Sequence, residues 1–285
     1  METEDLSNSL LEQYRTASVP SIWSALQDLH GYHQSFMQGV SNQTEGQQLV
    51  GRARTLRFVP PRPDIQEQTP SGENAPEARA MARCGPGDVL VCDVSSSPYS
   101  SSGGEMKLLQ LQMNRAEGIV TDGAIRDLVA VKNHGFKIFA AGGTVAAGLA
   151  PFMWSYDENI VIQCGGIAVK PGDLIVGNDD GIVCVPKQWA VEVIEWVDEH
   201  DHFESVIRDM ILRDNVRPTT YYNKEMFEKL KEEKKRTQRY SNSETWRCKF
   251  SYRPVIKMRS SLTLWSFRQA GRGRAQARSL TEGRK

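Results

Sequence analysis

The residues best able to do chemistry fall in two short segments. In Gly118-Ile119-Val120-Thr121-Asp122-Gly123-Ala124-Ile125-Arg126-Asp127, an apolar run ends on a glycine turn and then presents a cation beside a carboxylate. A guanidinium can stabilise negative charge that develops on an oxygen, and a carboxylate can hold a divalent cation or a proton. Ligands of open α/β folds gather where strands end in this way. Plainer roles fit the same residues: Asp127 suits the N-cap of a following helix, and Arg126 suits its ion-pair partner.

The second segment is Ser101-Ser102-Gly103-Gly104-Glu105, followed by a helical pattern that includes Met106 and Lys107. A glycine-rich helix entry leaves backbone N–H groups free to take a carboxylate or phosphate. Glycine pairs also occur in ordinary turns, and Glu105 suits the first turn of any helix. Together the segments offer an anion cradle, a cation, a metal-capable carboxylate and a second carboxylate able to position a proton.

The elements that must hold these groups follow from periodicity and turn residues. Strands are predicted over 49–59, 89–94, 118–121 and 137–141, with helices over 105–115 and 127–135 and a loop over 122–126. This alternation implies an α/β core with parallel pairing. The turns Pro86-Gly87-Asp88 and Pro171-Gly172-Asp173 each open a strand, and Asp180-Gly181 joins 174–177 to 182–185 as a hairpin. Residues 5–30 read as two helices broken at Val19-Pro20, with Ser21 ahead of Ile22, Ala25, Leu26 and Leu29. Residues 62–76 read as a polar loop before a helix over 77–83, and 95–102 as a serine-rich connection. A long amphipathic helix is expected over 188–212 and a further helical stretch over 221–235. The glycine-rich stretch from Gly142 to Gly148 lacks the Lys-Ser ending of a phosphate loop and reads as a flexible connection. Pro151-Phe152-Met153-Trp154-Ser155-Tyr156 suits either a pocket or interface wall or a packed patch.

The 285 residues carry 35 Lys+Arg against 35 Asp+Glu, yet residues 231–285 hold 16 against 4. Residues 1–230 therefore form an acidic body, expected to be one α/β domain, and 231–285 a basic extension without periodicity. That extension reads as weakly ordered, or as a gene model running past the usual end. An acidic body argues against nucleic acid as its partner. No run reaches the roughly 18 apolar residues of a membrane span. The polar N-terminus and five cysteines without a CxxC pair (Cys84, Cys92, Cys164, Cys184, Cys248) point to a reduced, cytoplasmic protein. His200 and His202, two apart, diverge on a helix and make a poor metal pair.

The combined string, Gly103-Gly104-Glu105 and then Arg126-Asp127 within Thr-Asp-Gly-Ala-Ile-Arg-Asp, resembles the class II pyruvate aldolases of the RraA-like superfamily. These act on 4-hydroxy-4-methyl-2-oxoglutarate and 4-carboxy-4-hydroxy-2-oxoadipate. Pro86-Gly87-Asp88-Val89-Leu90-Val91, the stretch from Cys164 to Asp173 and the hairpin from Asp179 to Pro186 also match, so the resemblance spans residues 10–230. It implies a swivelling β/β/α domain with N-terminal helices and a C-terminal helical segment. It further implies a homotrimer or a hexamer, with sites at subunit interfaces, and a divalent metal, Mg²⁺ or Mn²⁺.

On that resemblance Asp127 is the metal ligand and Arg126 bonds the keto oxygen of a 2-oxo acid substrate. The backbone around Gly103, Gly104, Glu105, Met106 and Lys107 binds its carboxylate, and Glu105 orients a water that carries the hydroxyl proton. Oxaloacetate decarboxylation would run through the same pyruvate enolate. The alternatives are a non-catalytic ring-shaped regulator of an RNA-degrading enzyme and a lyase on sugar-derived 2-oxo acids. The presence of Glu105, Arg126 and Asp127 together favours catalysis. The aldolases also draw a C-terminal acidic residue from a neighbouring subunit; Glu199 and Glu204 lie in that region, and no motif selects either.

Overall fold

The structure is a computed structural model that describes residues 5–146 and 153–241. All strands among the described residues lie in one compact unit, Met1–Leu230; in the second, Lys231–Lys285, the described residues are helical up to Ser241. The rest of the basic extension, including Cys248, lies outside the described residues.

The chain opens with α1 (Asn8–Tyr14) and α2 (Val19–His30), then β1 (Ser41–Asn42) and the long β2 (Leu49–Val59). After α3 (Pro63–Gln68) and α4 (Pro76–Arg83) come β3 (Asp88–Asp93), β4 (Ser101–Gly103), α5 (Glu105–Met113), β5 (Gly118–Thr121) and β6 (Ala124–Arg126). Next are α6 (Leu128–Asn133), β7 (Lys137–Ala140), β8 (Gly142–Thr144), β9 (Trp154–Glu158), β10 (Ile162–Cys164) and β11 (Ile167–Val169). The hairpin β12 (Leu174–Asn178) and β13 (Gly181–Val185) precedes α7 (Ala190–Asp214) and α8 (Lys224–Ser241).

The main sheet runs β1-β7-β5-β3-β2-β12-β13, with β9 pairing the C-terminal part of β2 beyond the residues that pair with β12. Strands β2, β3, β5 and β7 are mutually parallel, as the strand–helix alternation predicts, whereas β1, β9, β12 and β13 join antiparallel. The sheet curls into a nearly closed barrel. Residues 35–42 bond both of its ends: Met37 N–H donates to Ile182 O (3.0 Å) and Cys184 N–H to Ser35 O (2.7 Å), while Ser41 and Asn42 pair with β7. Val89, Val91, Val120, Phe139, Ile175 and Ile182 fill the interior, which explains why these strands read as unbroken apolar runs. Gly177 makes room for the aromatic filling, since a Cβ there would stand 3.0 Å from Phe139.

Helices cover the outside. Leu10, Leu11, Tyr14, Ile22 and Leu26 of α1 and α2 bury against Val193, Ile194 and Val197 of α7, and the Tyr14 hydroxyl donates to Ala190 O at 2.6 Å. Leu108, Leu111 and Val131 of α5 and α6 pack with Met81 of α4 on another face.

Several local expectations change. The break between α1 and α2 lies over residues 15–18 rather than at Val19-Pro20. Ser18, not Ser21, is the N-cap, and Pro20 sits in the first turn of α2, where a missing N–H costs nothing. Residues 62–76 hold α3 and a 3₁₀ turn, Gly72–Asn74. Parts of three expected loops are strands: β4, β6 and β8 form a small parallel sheet of their own, with Gly103 opposite Ile125 and Arg126 opposite Thr144. Each has three residues, too few to show a period. Residues 147–152, including Gly148, Pro151 and Phe152, lie outside the described residues. In the remainder of the aromatic run, Met153 is buried with Leu56, Phe58 and Met81, and Trp154 begins β9. Cys84, Cys92, Cys164 and Cys184 are free and buried, and burial pushes their thiols up, Cys84 to about 12. No helix among the described residues is long and apolar enough to cross a membrane.

Candidate active site

The turn after β5 sets the geometry. Asp122 is buried, and its carboxylate accepts from Val94 N–H (2.7 Å), Ser96 N–H (2.8 Å) and Gln163 Nε2 (2.6 Å). These bonds hold Ser95 and Ser96 at φ 54° and 55°, a left-handed backbone that L-residues adopt only when surroundings enforce it. At Gly123 a Cβ would stand 2.8 Å from Ser100 O, so the chain passes tightly beneath the segment leading into β4. Ala124 N–H then donates to Ser100 O (2.9 Å) and starts β6 parallel to β4. Two adjacent parallel strands end on the same side, which brings Gly103-Gly104-Glu105 next to Arg126-Asp127.

The result is a cavity of about 370 Å³ lined by Ser101, Gly103, Gly104, Glu105, Met106, Lys107, Arg126 and Asp127. All seven residues singled out in the sequence line this one hollow.

Asp127 occupies the N-cap position of α6 but does not cap it: its backbone is left-handed (φ 58°, ψ 30°) and its side chain bonds no helix N–H. Such a conformation costs roughly 1–2 kcal/mol, though Asp tolerates it better than most residues. The carboxylate is 44% exposed, and its nearest cation, Arg126 Nε, lies 3.6 Å away, beyond a good hydrogen bond. Across the hollow, a Cβ on Gly104 would come within 3.0 Å of Asp127 Oδ2. The glycine therefore lets the helix entry and the carboxylate approach closely, and a Cβ there would press the carboxylate aside by a few tenths of an ångström.

Gly104 is the N-cap of α5 and supplies no side-chain cap, so the N–H groups of Glu105 and Met106 have no acceptor among the described residues. Such groups at a helix start attract an anion. The expected donor at Lys107 is partly used, because its N–H bonds Gly104 O at 3.1 Å. Its ammonium pairs with the buried Glu77 of α4 at 2.5 Å. The Glu105 carboxylate meets His134 Nε2 at 3.0 Å. His134 carried no signal in the sequence, since 29 positions separate it from Glu105 and no local spacing links the two.

Among the described residues no three His, Cys, Asp or Glu side chains converge as a ready-made cage. A cation at this site would rest on Asp127 with water or substrate completing its shell. One hard carboxylate oxygen facing a roomy hollow, with no hydrogen-bond donor already engaging it, fits Mg²⁺ or Mn²⁺. His200 is engaged elsewhere, stacked on Trp196 and Phe227. Glu204 bonds the Tyr222 hydroxyl.

The RraA-like family model, described as Aldolase/RraA, matches residues 15–184. A Halalkalibacterium halodurans protein that carries a provisional 4-hydroxy-4-methyl-2-oxoglutarate aldolase name is 32% identical over 216 residues, 76% of this chain and 94% of that protein. Streptomyces coelicolor RraAS2, described as an unusual member of the RNase ES inhibitor RraA family, superposes with a TM-score of 0.65 at 28% identity. The match covers 72% of this chain and 98% of that one. An uncharacterised Pseudomonas syringae protein shares the fold, with a TM-score of 0.66 at 22% identity over 77% of this chain and 95% of its own. By the extent of these matches, the chain that builds this hollow belongs to the RraA-like, aldolase/RraA family.

Proposed function

We propose that this protein is a divalent-metal-dependent lyase that cleaves 4-hydroxy-2-oxo acids of the 4-hydroxy-4-methyl-2-oxoglutarate type to pyruvate. Oxaloacetate decarboxylation would be a side activity. The observation that carries this reading is Asp127: a carboxylate held in a left-handed turn, unused by its own helix, beside a guanidinium and facing free helix N–H groups. The provisional aldolase name of the relative supports the same class.

Asp127 would hold the cation, which supplies a Lewis acid for the 2-oxo acid. The N–H groups of Glu105 and Met106 bind the substrate carboxylate. Arg126 donates to the keto oxygen, where charge grows as the C3–C4 bond breaks; a fixed cation there favours the enolate over the ground state. Glu105 holds the water that removes the C4 hydroxyl proton.

Met106, Leu109 and Met113 leave apolar side chains exposed along one face of α5, beside the hollow. That stripe supports a subunit interface at the site, as in a homotrimer or hexamer. The free, buried cysteines suit the reducing cytoplasm.

The test is pyruvate release from 4-hydroxy-4-methyl-2-oxoglutarate and from oxaloacetate, with Mg²⁺ and with chelator. No pyruvate release with Mg²⁺ would end the lyase reading, and activity that resists chelation and survives Asp127→Ala would end its metal dependence. A second reading, a regulator that binds an RNA-degrading enzyme, draws on the likeness to RraAS2. It also draws on an apolar hollow of about 480 Å³ lined by Trp23, Phe36, Met37 and Ile182. Pulldown of such an enzyme, unchanged by Asp127→Ala, would favour that reading. The described part of the aromatic run gives sugar-derived substrates no support, because neither Met153 nor Trp154 lines the candidate site.

A further inference from the structure

Glu105 is gripped from the helix next door. His134, which ends α6, brings Nε2 to 3.0 Å from Glu105 Oε1. Its carbonyl accepts a 2.8 Å bond from Gln112 Nε2. Glu105 and Gln112 are two turns apart on one face of α5, so that face holds His134 by both its ring and its backbone. A ring nitrogen facing a carboxylate carries the proton, which fixes the imidazole as donor. Oε1 is thereby engaged, whereas Oε2 has no partner among the described residues, and Glu105 lines the hollow.

We propose that His134 is a positioning residue for Glu105, fixing its carboxylate so that Oε2 engages the water that takes up the substrate's hydroxyl proton. The inference rests on the lyase reading. A simple strut between α5 and α6 explains the pair less well. Both side chains are partly exposed, and such pairs add little stability. The two helices are already joined through buried Leu108, Leu111 and Val131. A base oriented by a third group is the recurrent logic of sites that move protons.

The two candidate reactions separate this role from a structural one. In retro-aldol cleavage the C4 hydroxyl gives its proton to the water held by Glu105, and C4 becomes a carbonyl. The C3–C4 electron pair passes into the pyruvate enolate, and C3 later takes a proton from water. In oxaloacetate decarboxylation the same bond breaks with loss of CO₂, and no hydroxyl proton has to leave.

His134→Ala should therefore lower kcat for retro-aldol cleavage by about tenfold. It should leave decarboxylation within about twofold and KM nearly unchanged. His134→Gln, whose amide can still donate to Glu105, should recover most of the lost rate. His134→Phe, which keeps a ring but cannot donate, should behave like Ala and serves if the Ala variant fails to fold. Equal losses in both reactions, no loss in either, or failure of Gln to rescue would each overturn the positioning role while leaving the lyase reading intact. If the wild-type protein with Mg²⁺ releases no pyruvate from either substrate, the lyase reading itself fails and this inference falls with it.

Discussion

Asp122 and Asp127 belong to one motif, and they follow β5 and β6 respectively. Asp122 is buried and accepts from two backbone N–H groups, a serine hydroxyl and a glutamine amide. Asp127 is half exposed and sits on a strained backbone, and its carboxylate receives no hydrogen bond among the described residues. A carboxylate surrounded by donors holds chain segments in place. A carboxylate denied donors, at the mouth of a cavity, remains available to a ligand. The contrast extends to the sheets around them: the large one closes over an apolar interior, while the small one, built from three-residue strands, carries the polar groups of the hollow.

The sharpest way to break this contrast is to exchange the consequences of losing each aspartate. Asp127→Asn should lower pyruvate release by about a thousandfold or more, the scale of a lost Lewis acid. Its thermal midpoint should move by no more than about 2 °C, because the side chain bonds nothing structural and Asn tolerates the same backbone. A large drop in the midpoint would make Asp127 a structural residue after all.

Asp122→Ala should do the reverse. It leaves the buried Val94 N–H without its acceptor, frees the Ser96 loop and should cost about 2 kcal/mol in denaturant unfolding. Turnover per folded molecule should fall by less than about tenfold. A stability loss under about 1 kcal/mol would show that the network does not hold the loop.

Gly104→Ala probes the distance between the two segments. Its Cβ would press on Asp127 Oδ2, and displacing that carboxylate by a few tenths of an ångström should reduce kcat/KM by about tenfold. Activity equal to wild type would mean that the carboxylate has room to move.

Glu117 offers the smallest effect. Burial pushes its carboxyl up, but bonds and charges from Arg15 and Lys137 outweigh this and hold it below the ordinary glutamate range. A carboxylate depressed in the folded state adds stability above its unfolded pKa of about 4.3, and that stability is lost as pH falls through the lower folded value. Glu117→Gln should thus be less stable by about 1 kcal/mol at pH 7, with the gap closing below about pH 4. Urea titrations at pH 7 and pH 3 with the same gap would refute it.

Much of this architecture is legible in the residues alone, for a physical reason. Strand β2 announces itself through alternation closed by Pro60-Pro61, and the hairpin β12–β13 through apolar runs joined by the Asp180-Gly181 turn. The grouping of residues 103–107 with 126–127 is legible too, through the combined string that resembles the RraA-like aldolases. Their geometry is not. Strands of three residues show no period, and the left-handed turn at Asp127 looks like an ordinary cap in sequence. The bonds from Gln163 to Asp122 and from His134 to Glu105 join residues that only the folded chain brings together.

The stretch 35–42 touches both ends of the main strand path, bonding to β13 through Ser35 and Met37 and to β7 through Ser41 and Asn42. Open strand edges are templates on which a second polypeptide can add its own strand, in docking or in aggregation. Here one loop masks both templates at once. A partner or a second copy meeting these ends must therefore recognise side chains rather than an exposed backbone. A cut within 35–42 would uncover two adhesive edges in a single event.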